Sequence, residues 1–411
     1  MKKFKIVTLG CRTNQYESQG YADQLVHMGY RRAEESEEAD LCIVNTCTVT
    51  EGADRSSRHK IRSLLRKNPS SKVVVTGCMV ETASELLSSI SERIQMVPNK
   101  KKEWLVQEIF PEEENYPEFT IEAFEGHTRA FVKVQDGCNS FCTYCVIPYV
   151  RGRSRSRSIS DVIREVEGLV QNGYKEVVLT GINVGDFDGG GTLSDLVRRV
   201  DQVKGLKRLR ISSIDPDEVD AALIDAVLNG KTTCPSMHIV LQAGSNVVLK
   251  RMNRKYTRQI FIDTVEKMGW QNPDFTVTTD VIVGFPGESE GDFQETLELV
   301  KKVPFAKVHI FPYSPRKRTR AALYPNKVPL EVVNDRKQRL SRLVEQCAFE
   351  LRERFVGRKM SVLIENETKD GYITGHTTNF LRVWAPQRAL QAGDLVEMEL
   401  IRNEPQGLIA R

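Results

Sequence analysis

Six of the nine cysteines fall into two patterned trios. The first is a tight loop motif, in which Cys138, Cys142 and Cys145 stand as C-x3-C-x2-C between Asp136 and Tyr149. The second is dispersed. Cys11, Cys47 and Cys78 each close a strand-like run, and each follows a small residue, Gly10, Thr46 and Gly77. Thiolates are the usual ligands of iron–sulfur clusters, so three sulfurs at one centre can hold a four-iron cubane and leave one iron open. A single strand-end cysteine would read as a small core residue, as the mid-strand Cys42 does. A zinc site would want a fourth nitrogen or sulfur ligand. Cys234 is distant from the loop, and His59, nearest to the dispersed trio, reads as part of a solvated helix face.

The dispersed trio needs a frame that gathers strand ends. Residues 5–11, 41–47 and 72–78 read as strands, with helices expected over 14–28 and, after the second strand, as far as Lys67. Continuous apolar strands alternating with helices imply a parallel sheet covered on both faces, here a flavodoxin-like α/β domain. In that architecture the loops after the strands gather on one edge, where ligands bind, so the three thiols are expected to converge. Residues 111–126 are acidic, hold two prolines and lack a helical period, and they read as a linker.

A second alternation begins near His127. Strands are expected over 130–135, 176–180, 206–212, 237–241, 277–283 and 306–311, with helices over 159–171, 193–203, 217–228, 258–268 and 290–302. Six such steps in about 190 residues suit an open or partial (β/α)6 barrel, since a full eight-stranded one takes roughly 250. The C-x3-C-x2-C loop comes directly after the first of these strands, on the face where chemistry sits in such barrels. A long basic helix is expected over 330–355. Beyond it, short β-like runs with turn signals at Lys369-Asp370-Gly371 and Ala392-Gly393-Asp394 suit a small, OB-like β-barrel.

The bulk numbers exclude other classes. At 411 residues, 40% hydrophobic and 28% charged, the chain is globular and too long for one core. No apolar run approaches the ~20 residues of a membrane-spanning helix. Met1-Lys2-Lys3-Phe4 runs into a strand without a signal-peptide core, so a cytoplasmic protein without membrane contact is expected. In a reducing compartment cysteines serve metal or catalysis more often than disulfides.

C-x3-C-x2-C with an aromatic, Tyr144, before the last cysteine resembles the radical S-adenosylmethionine (SAM) superfamily. Further motifs are Thr8-Leu9-Gly10-Cys11, Asn45-Thr46-Cys47-Thr48-Val49-Thr50, Thr76-Gly77-Cys78, the run DVIVGFPGE from Asp280 to Glu288, and Phe311-Pro312-Tyr313-Ser314. With them, nearly the whole chain resembles the methylthiotransferase family. The resemblance implies an N-terminal domain over 1–125, a radical SAM domain over 126–355 and a TRAM RNA-binding domain over 356–411. It implies that Cys138, Cys142 and Cys145 hold a [4Fe–4S] cluster whose open iron binds SAM. It implies equally that Cys11, Cys47 and Cys78 hold an auxiliary [4Fe–4S] cluster carrying the sulfur to be inserted. Candidate SAM contacts are Tyr144, Gly181, Ser213 and Gln242, and no residue is expected to act as a conventional acid or base.

Residues 9–18 and 45–62 look most like the branch that modifies N6-threonylcarbamoyladenosine at position 37 of tRNA, next to the anticodon. Asn183, where that branch often has histidine, and Arg318, in place of a usual glycine, depart from it. Other branches act on N6-isopentenyladenosine or on a ribosomal-protein aspartate, and a rival of another class is a non-catalytic iron–sulfur RNA-binding protein. Charge favours RNA. Arg151, Arg153, Arg155 and Arg157 alternate, so an extended backbone would align them. Arg316, Lys317, Arg318 and Arg320 form a second knot, and more basic residues, from Lys337 to Lys359, follow on or beside the long helix. Such surfaces attract phosphate. Phe380 and Trp384 read either as base-stacking or as core residues. The expected partners are a tRNA anticodon stem-loop and a reducing donor such as a flavodoxin or ferredoxin, with the protein itself monomeric.

Overall fold

The computed structural model describes residues 1–124, 126–387 and 390–411; Glu125, the expected end of the first domain, lies outside the described residues. The chain packs as two units. One comprises Met1–Ala123, Asp136–Arg155 and Ser314–Ala322, and the other Phe124–Gln135, Ser156–Tyr313 and Leu323–Arg411. The expected segments 1–125, 126–355 and 356–411 follow chain order, whereas these units are composite.

In the first unit the strands Lys3–Thr8, Arg31–Arg32, Leu41–Thr46, Lys72–Gly77 and Ile94–Val97 form one parallel sheet. Their order, second–first–third–fourth–fifth, is that of a flavodoxin-like sheet. Side chains alternate between its faces: Cys42 and Val44 pack with Ile61, Leu64 and Leu65 of the helix Glu51–Lys67, while Leu41 and Ile43 pack with Tyr21 and Leu25 of the helix Arg12–His27. Each large apolar side chain so buried contributes roughly 1.5–3 kcal/mol. Thr50 caps the helix Glu51–Lys67 by accepting from the Ala53 N–H, and acidic residues in its first turn with basic ones in its last complement the dipole.

The expected linker has no regular structure, but part of it is strapped down. The Phe119 ring lies against the helix where Gly20 leaves room; a Cβ there would come within 2.2 Å of it. Gln24 Nε2 donates to the Pro117 carbonyl at 2.8 Å.

In the second unit six parallel strands follow in chain order: Ala130–Lys133, Glu176–Thr180, Arg208–Ile211, Ser236–His238, Thr276–Val283 and Phe305–Pro312. The first three and the last three are separate ladders, joined by single parallel bridges, Leu209 to Thr233 and Ile214 to Ile239. The helices between them, Ile159–Gln171, Leu193–Asp201, Ala221–Leu228, Arg258–Gln271 and Glu290–Lys302, each begin behind a Ser, Thr or Asp whose side chain accepts from the first turn. This is the partial (β/α)6 barrel that the spacing predicts.

The long helix Leu330–Glu353 leads into a closed five-stranded barrel of Lys359–Lys369, Tyr372–Thr377, Arg382–Pro386, Leu395–Glu404 and Gly407–Ala410. Leu351 and Phe355 plug its core beside Val362, Ile364 and Val383. Asp370 and Gly371, both at positive φ, make the two-residue turn of its first hairpin.

The small barrel docks on the N-terminal ends of the (β/α) strands. Arg208 donates to the carbonyls of Ser361 and His376, and Arg210 to those of Thr377 and Thr378. Buried Glu176 lies within ion-pair reach of Arg208, Arg210 and Arg129. Phe380 stacks on His376 and lies under Arg129 and Arg210. Trp384 is buried, its Nε1 pointing at the Gln406 carbonyl. Trp384 therefore serves packing within the barrel, while Phe380 gives the docking a flat apolar surface beside two guanidinium groups. Among the described residues no helix is long and apolar enough to cross a membrane.

Candidate functional site

Each dispersed cysteine sits where its strand gives way to the next turn. Cys11 directly precedes the helix Arg12–His27, Cys47 directly follows Leu41–Thr46, and Cys78 opens the short helix Cys78–Thr82. Two glycines make the close approach possible. Gly10 has φ +93°, and a Cβ on it would lie 2.9 Å from Cys47 Sγ. Gly77, also at φ +93°, would place a Cβ 2.4 Å from the Thr46 carbonyl oxygen. Asn14 Nδ2 donates to the carbonyls of Leu9 and Thr46, and Thr46 Oγ1 to that of Thr76, so polar bonds tie the three strand ends together.

The thiols feel one another. Burial pushes Cys47 up to about 11, with Cys78 and Cys11 adding to the rise against a Val49 backbone N–H and Arg151. Burial also raises Cys78, opposed chiefly by Arg151 and Lys102. None of the six motif cysteines is in a disulfide. Thiols from three strand ends, within electrostatic reach and beside buried cations, are a donor set that fits an iron–sulfur cluster.

Those cations belong to a buried network that sequence reasoning missed. Arg151 Nη1 reaches Asp136 Oδ1 at 2.8 Å and Glu17 Oε1 at 3.3 Å, while its Nη2 donates to Asn14 Oδ1 at 2.5 Å. Lys102 Nζ pairs with Glu17 Oε2 at 2.5 Å. Arg151 is thus structural and not part of an RNA-facing array. Arg155 likewise pairs with Asp136, Arg157 with Glu165, and Arg153 lies over the Phe141 ring. The alternation misleads at its start, where Arg151 ends the helical turn Ile147–Val150 and Gly152 follows at φ +82°; the backbone is extended only from Arg155, in the short strand Arg155–Ser156. Arg316 of the second knot is held by Asp54 and Thr48.

The C-x3-C-x2-C loop belongs to the same unit as the dispersed trio. Gly137, at φ +73°, passes so close to the Arg153 carbonyl that a Cβ would lie 2.0 Å from it. Cys138 N donates to Gly152 O, Cys145 N to Cys142 O, and Ala321 N to Thr143 O, which fixes the loop at both ends and the middle. Cys142 is buried, whereas Cys138 and Cys145 are partly open.

Of the four candidate SAM contacts, Tyr144 lies in this loop. The other three belong to the second unit and follow its strands on the C-terminal side. Gly181 comes directly after Glu176–Thr180 and packs on Gln135, whose Oε1 accepts from the N–H groups of Ile182 and Asn183. The Ser213 backbone carbonyl accepts from Val184 N, and the neighbouring Ser212 keeps a buried hydroxyl without a partner. Gln242, at φ +65°, bridges to the strand Thr276–Val283 and leaves its buried Oε1 unpaired. Nearby, Asn183 donates to Glu218 Oε1, and burial together with Asp215 raises Glu218 to about 7. Unsatisfied polar atoms at strand ends are suited to a polar ligand such as SAM.

A partial (β/α) barrel with a three-cysteine loop behind its first strand defines the radical SAM class, and comparison agrees. The model of the radical SAM superfamily matches residues 132–300, and that of an uncharacterized protein family, UPF0004, matches residues 3–98. A TsrM structure from Kitasatospora setae, a radical SAM methyltransferase with cobalamin and a [4Fe-4S] cluster bound, superposes at TM-score 0.55 with 13% identity, covering 79% of this chain and 74% of that one. The chain is 48% identical over 409 residues to a Chlamydia pneumoniae protein named threonylcarbamoyladenosine tRNA methylthiotransferase MtaB, covering 99% of this chain and 97% of the relative. A Bacillus subtilis protein of the same name is 36% identical, covering 96% and 93%. A Clostridium perfringens protein named tRNA-2-methylthio-N(6)-dimethylallyladenosine synthase is also 36% identical, covering 99% and 97%. The chain belongs to the radical SAM methylthiotransferase family, in its MtaB branch. Its cofactors are accordingly SAM and [4Fe–4S] clusters.

Proposed function

We infer that the protein converts N6-threonylcarbamoyladenosine at position 37 of tRNA to its 2-methylthio derivative. The observation that carries this reading is the 48% identity along almost the whole chain to the relative named for that nucleoside, against 36% to one named for the dimethylallyl compound. Cleaved reductively at an iron–sulfur cluster, SAM supplies the carbon radical needed to replace an unactivated aromatic C–H, which no side-chain acid or base could do.

The chain's own part is to hold and shield. Cys138, Cys142 and Cys145 would hold the cluster that binds SAM, and Cys11, Cys47 and Cys78 the auxiliary one. To ligate iron, Cys47 and Cys78 must lose protons that burial favours keeping; Arg151 lowers that cost for both, and Lys102 for Cys78. Tyr144, Gly181, Ser213 and Gln242 would line the SAM position. The C-terminal closed barrel would act as a TRAM-like RNA-binding module. With Phe380 and Trp384 taken up by packing, RNA would be met by exposed basic residues such as Lys317, Arg318 and Arg320, or Lys337 and Arg342 of the long helix. A small reducing protein would deliver electrons.

Mass spectrometry of tRNA nucleosides from cells lacking the protein tests the substrate: loss of the 2-methylthio-threonylcarbamoyl nucleoside is expected, and loss of the isopentenyl one instead would reassign it. Anoxically reconstituted protein given SAM and dithionite should release 5′-deoxyadenosine. None at all would leave only a non-catalytic iron–sulfur protein.

A further inference from the structure

Three side chains with no part in the reading above meet on one face of the second unit's sheet. His238 ends the strand Ser236–His238, Asp280 lies in Thr276–Val283, and His309 lies in Phe305–Pro312. Parallel register brings them together. Asp280 stands directly beside His309, and His238 beside Thr278, two residues before Asp280 and so on the same face. One donor atom from each of the three lies within 4.8 Å of the others.

The polar bonds around them are those of a ligand set. His238 Nδ1 is 3.0 Å from Thr278 Oγ1, which fixes the ring. Its Nε2 is buried and 3.4 Å from Asp280 Oδ2, yet makes no hydrogen bond. The His238 and His309 rings are 6.0 Å apart and tilted by 43°, not stacked. A histidine anchored through one ring nitrogen, with the other turned to a carboxylate and a second histidine, is how metal-ligating imidazoles are commonly supported. The side chains of His238 and Asp280 are 15% and 29% exposed, so further coordination positions stay open.

We propose that His238, Asp280 and His309 form a mononuclear site for a divalent first-row transition ion, with a donor set different from that of either cysteine trio. Two imidazoles and one carboxylate with open positions suit such an ion, and the absence of sulfur from this donor set sets it apart from cluster ligation. The strands hold the three ligands in place before an ion arrives, because their spacing is fixed by ladder hydrogen bonds.

The test is equilibrium dialysis of the fully cluster-loaded, anoxic protein against zinc, with bound metal read by elemental analysis. Cluster loading occupies the motif thiols, which would otherwise take up zinc themselves. Wild type is expected to retain zinc that His309→Asn and Asp280→Asn do not, with the clusters' visible absorbance unchanged. Thr278→Val should bind it roughly tenfold more weakly, through loss of the support to His238. His238→Gln and His309→Gln give the same readout should an asparagine variant fail to fold. No zinc uptake by wild type, or equal uptake by wild type and the ligand variants, overturns the proposal. Neither outcome bears on tRNA modification, which is read from nucleosides.

Discussion

Arg151 carries more of this fold than its position in a basic run suggests. It touches Asn14, Glu17 and Asp136 together, and it stands beside Cys78. Replacing it with methionine leaves two buried carboxylates with one fewer cation, which is expected to cost about 3–5 kcal/mol in denaturant unfolding. A loss below about 1 kcal/mol would show instead that the network is solvated. Glu218 gives a pH test. Its folded pKa, about 7, lies above its ordinary 4.5 because of burial first and Asp215 second. A carboxyl with a raised folded pKa contributes stability in full below the unfolded value and loses it as pH rises through the folded one. Stability should therefore decline between pH 4.5 and 7, and Glu218→Gln should flatten that decline.

The strand ends of the first unit depend on glycine where the backbone must turn left-handed under a neighbouring carbonyl. Gly77→Ala adds a Cβ 2.4 Å from Thr46 O at φ +93°. The turn must shift, and Cys78 with it. The expected result is less iron bound per chain, with the cluster of the C-x3-C-x2-C loop retained. In the second unit, Glu176 at the start of its strand holds the docked barrel through three arginines. Burial alone would raise its pKa, but Arg210, Arg129 and Arg208 overcome this and lower it to about 2. That sign gives stability present above the ordinary 4.5 and lost as pH falls toward 2. Glu176→Gln should thus destabilise at neutral pH, by about 3–5 kcal/mol. The gap from wild type should close in acid, and a gap constant with pH would refute the ion-pair account.

Taken as one chain, the protein should carry two clusters, so anoxic reconstitution should give about eight iron and eight labile sulfide per polypeptide. Alanine at any of Cys11, Cys47 or Cys78 should abolish methylthio transfer and leave SAM cleavage measurable; equal loss of both would argue against separate roles. RNA affinity should fall with salt. Since Arg151, Arg157 and Arg316 are engaged with internal carboxylates, charge reversal at exposed Lys337 and Arg342 should weaken tRNA binding without changing thermal stability.

Local pattern was enough for much of this. The helices Ile159–Gln171 and Glu290–Lys302 lie where periodicity and caps predict them, since a capping serine acts within one turn. Two cysteine trios, one tight and one at successive strand ends, were legible because parallel strands bring their ends to one edge whatever the intervening sequence. The pairing of Arg151 with Glu17 and Asp136 was not, because these partners lie 134 and 15 positions away and alternation says nothing of partners. The use of Phe380 for docking rather than for bases followed from the same cause, as did the meeting of His238, Asp280 and His309. Periodicity fixes which face a strand residue takes, but which strands become neighbours, and in what register, is settled only when the sheet closes its hydrogen bonds.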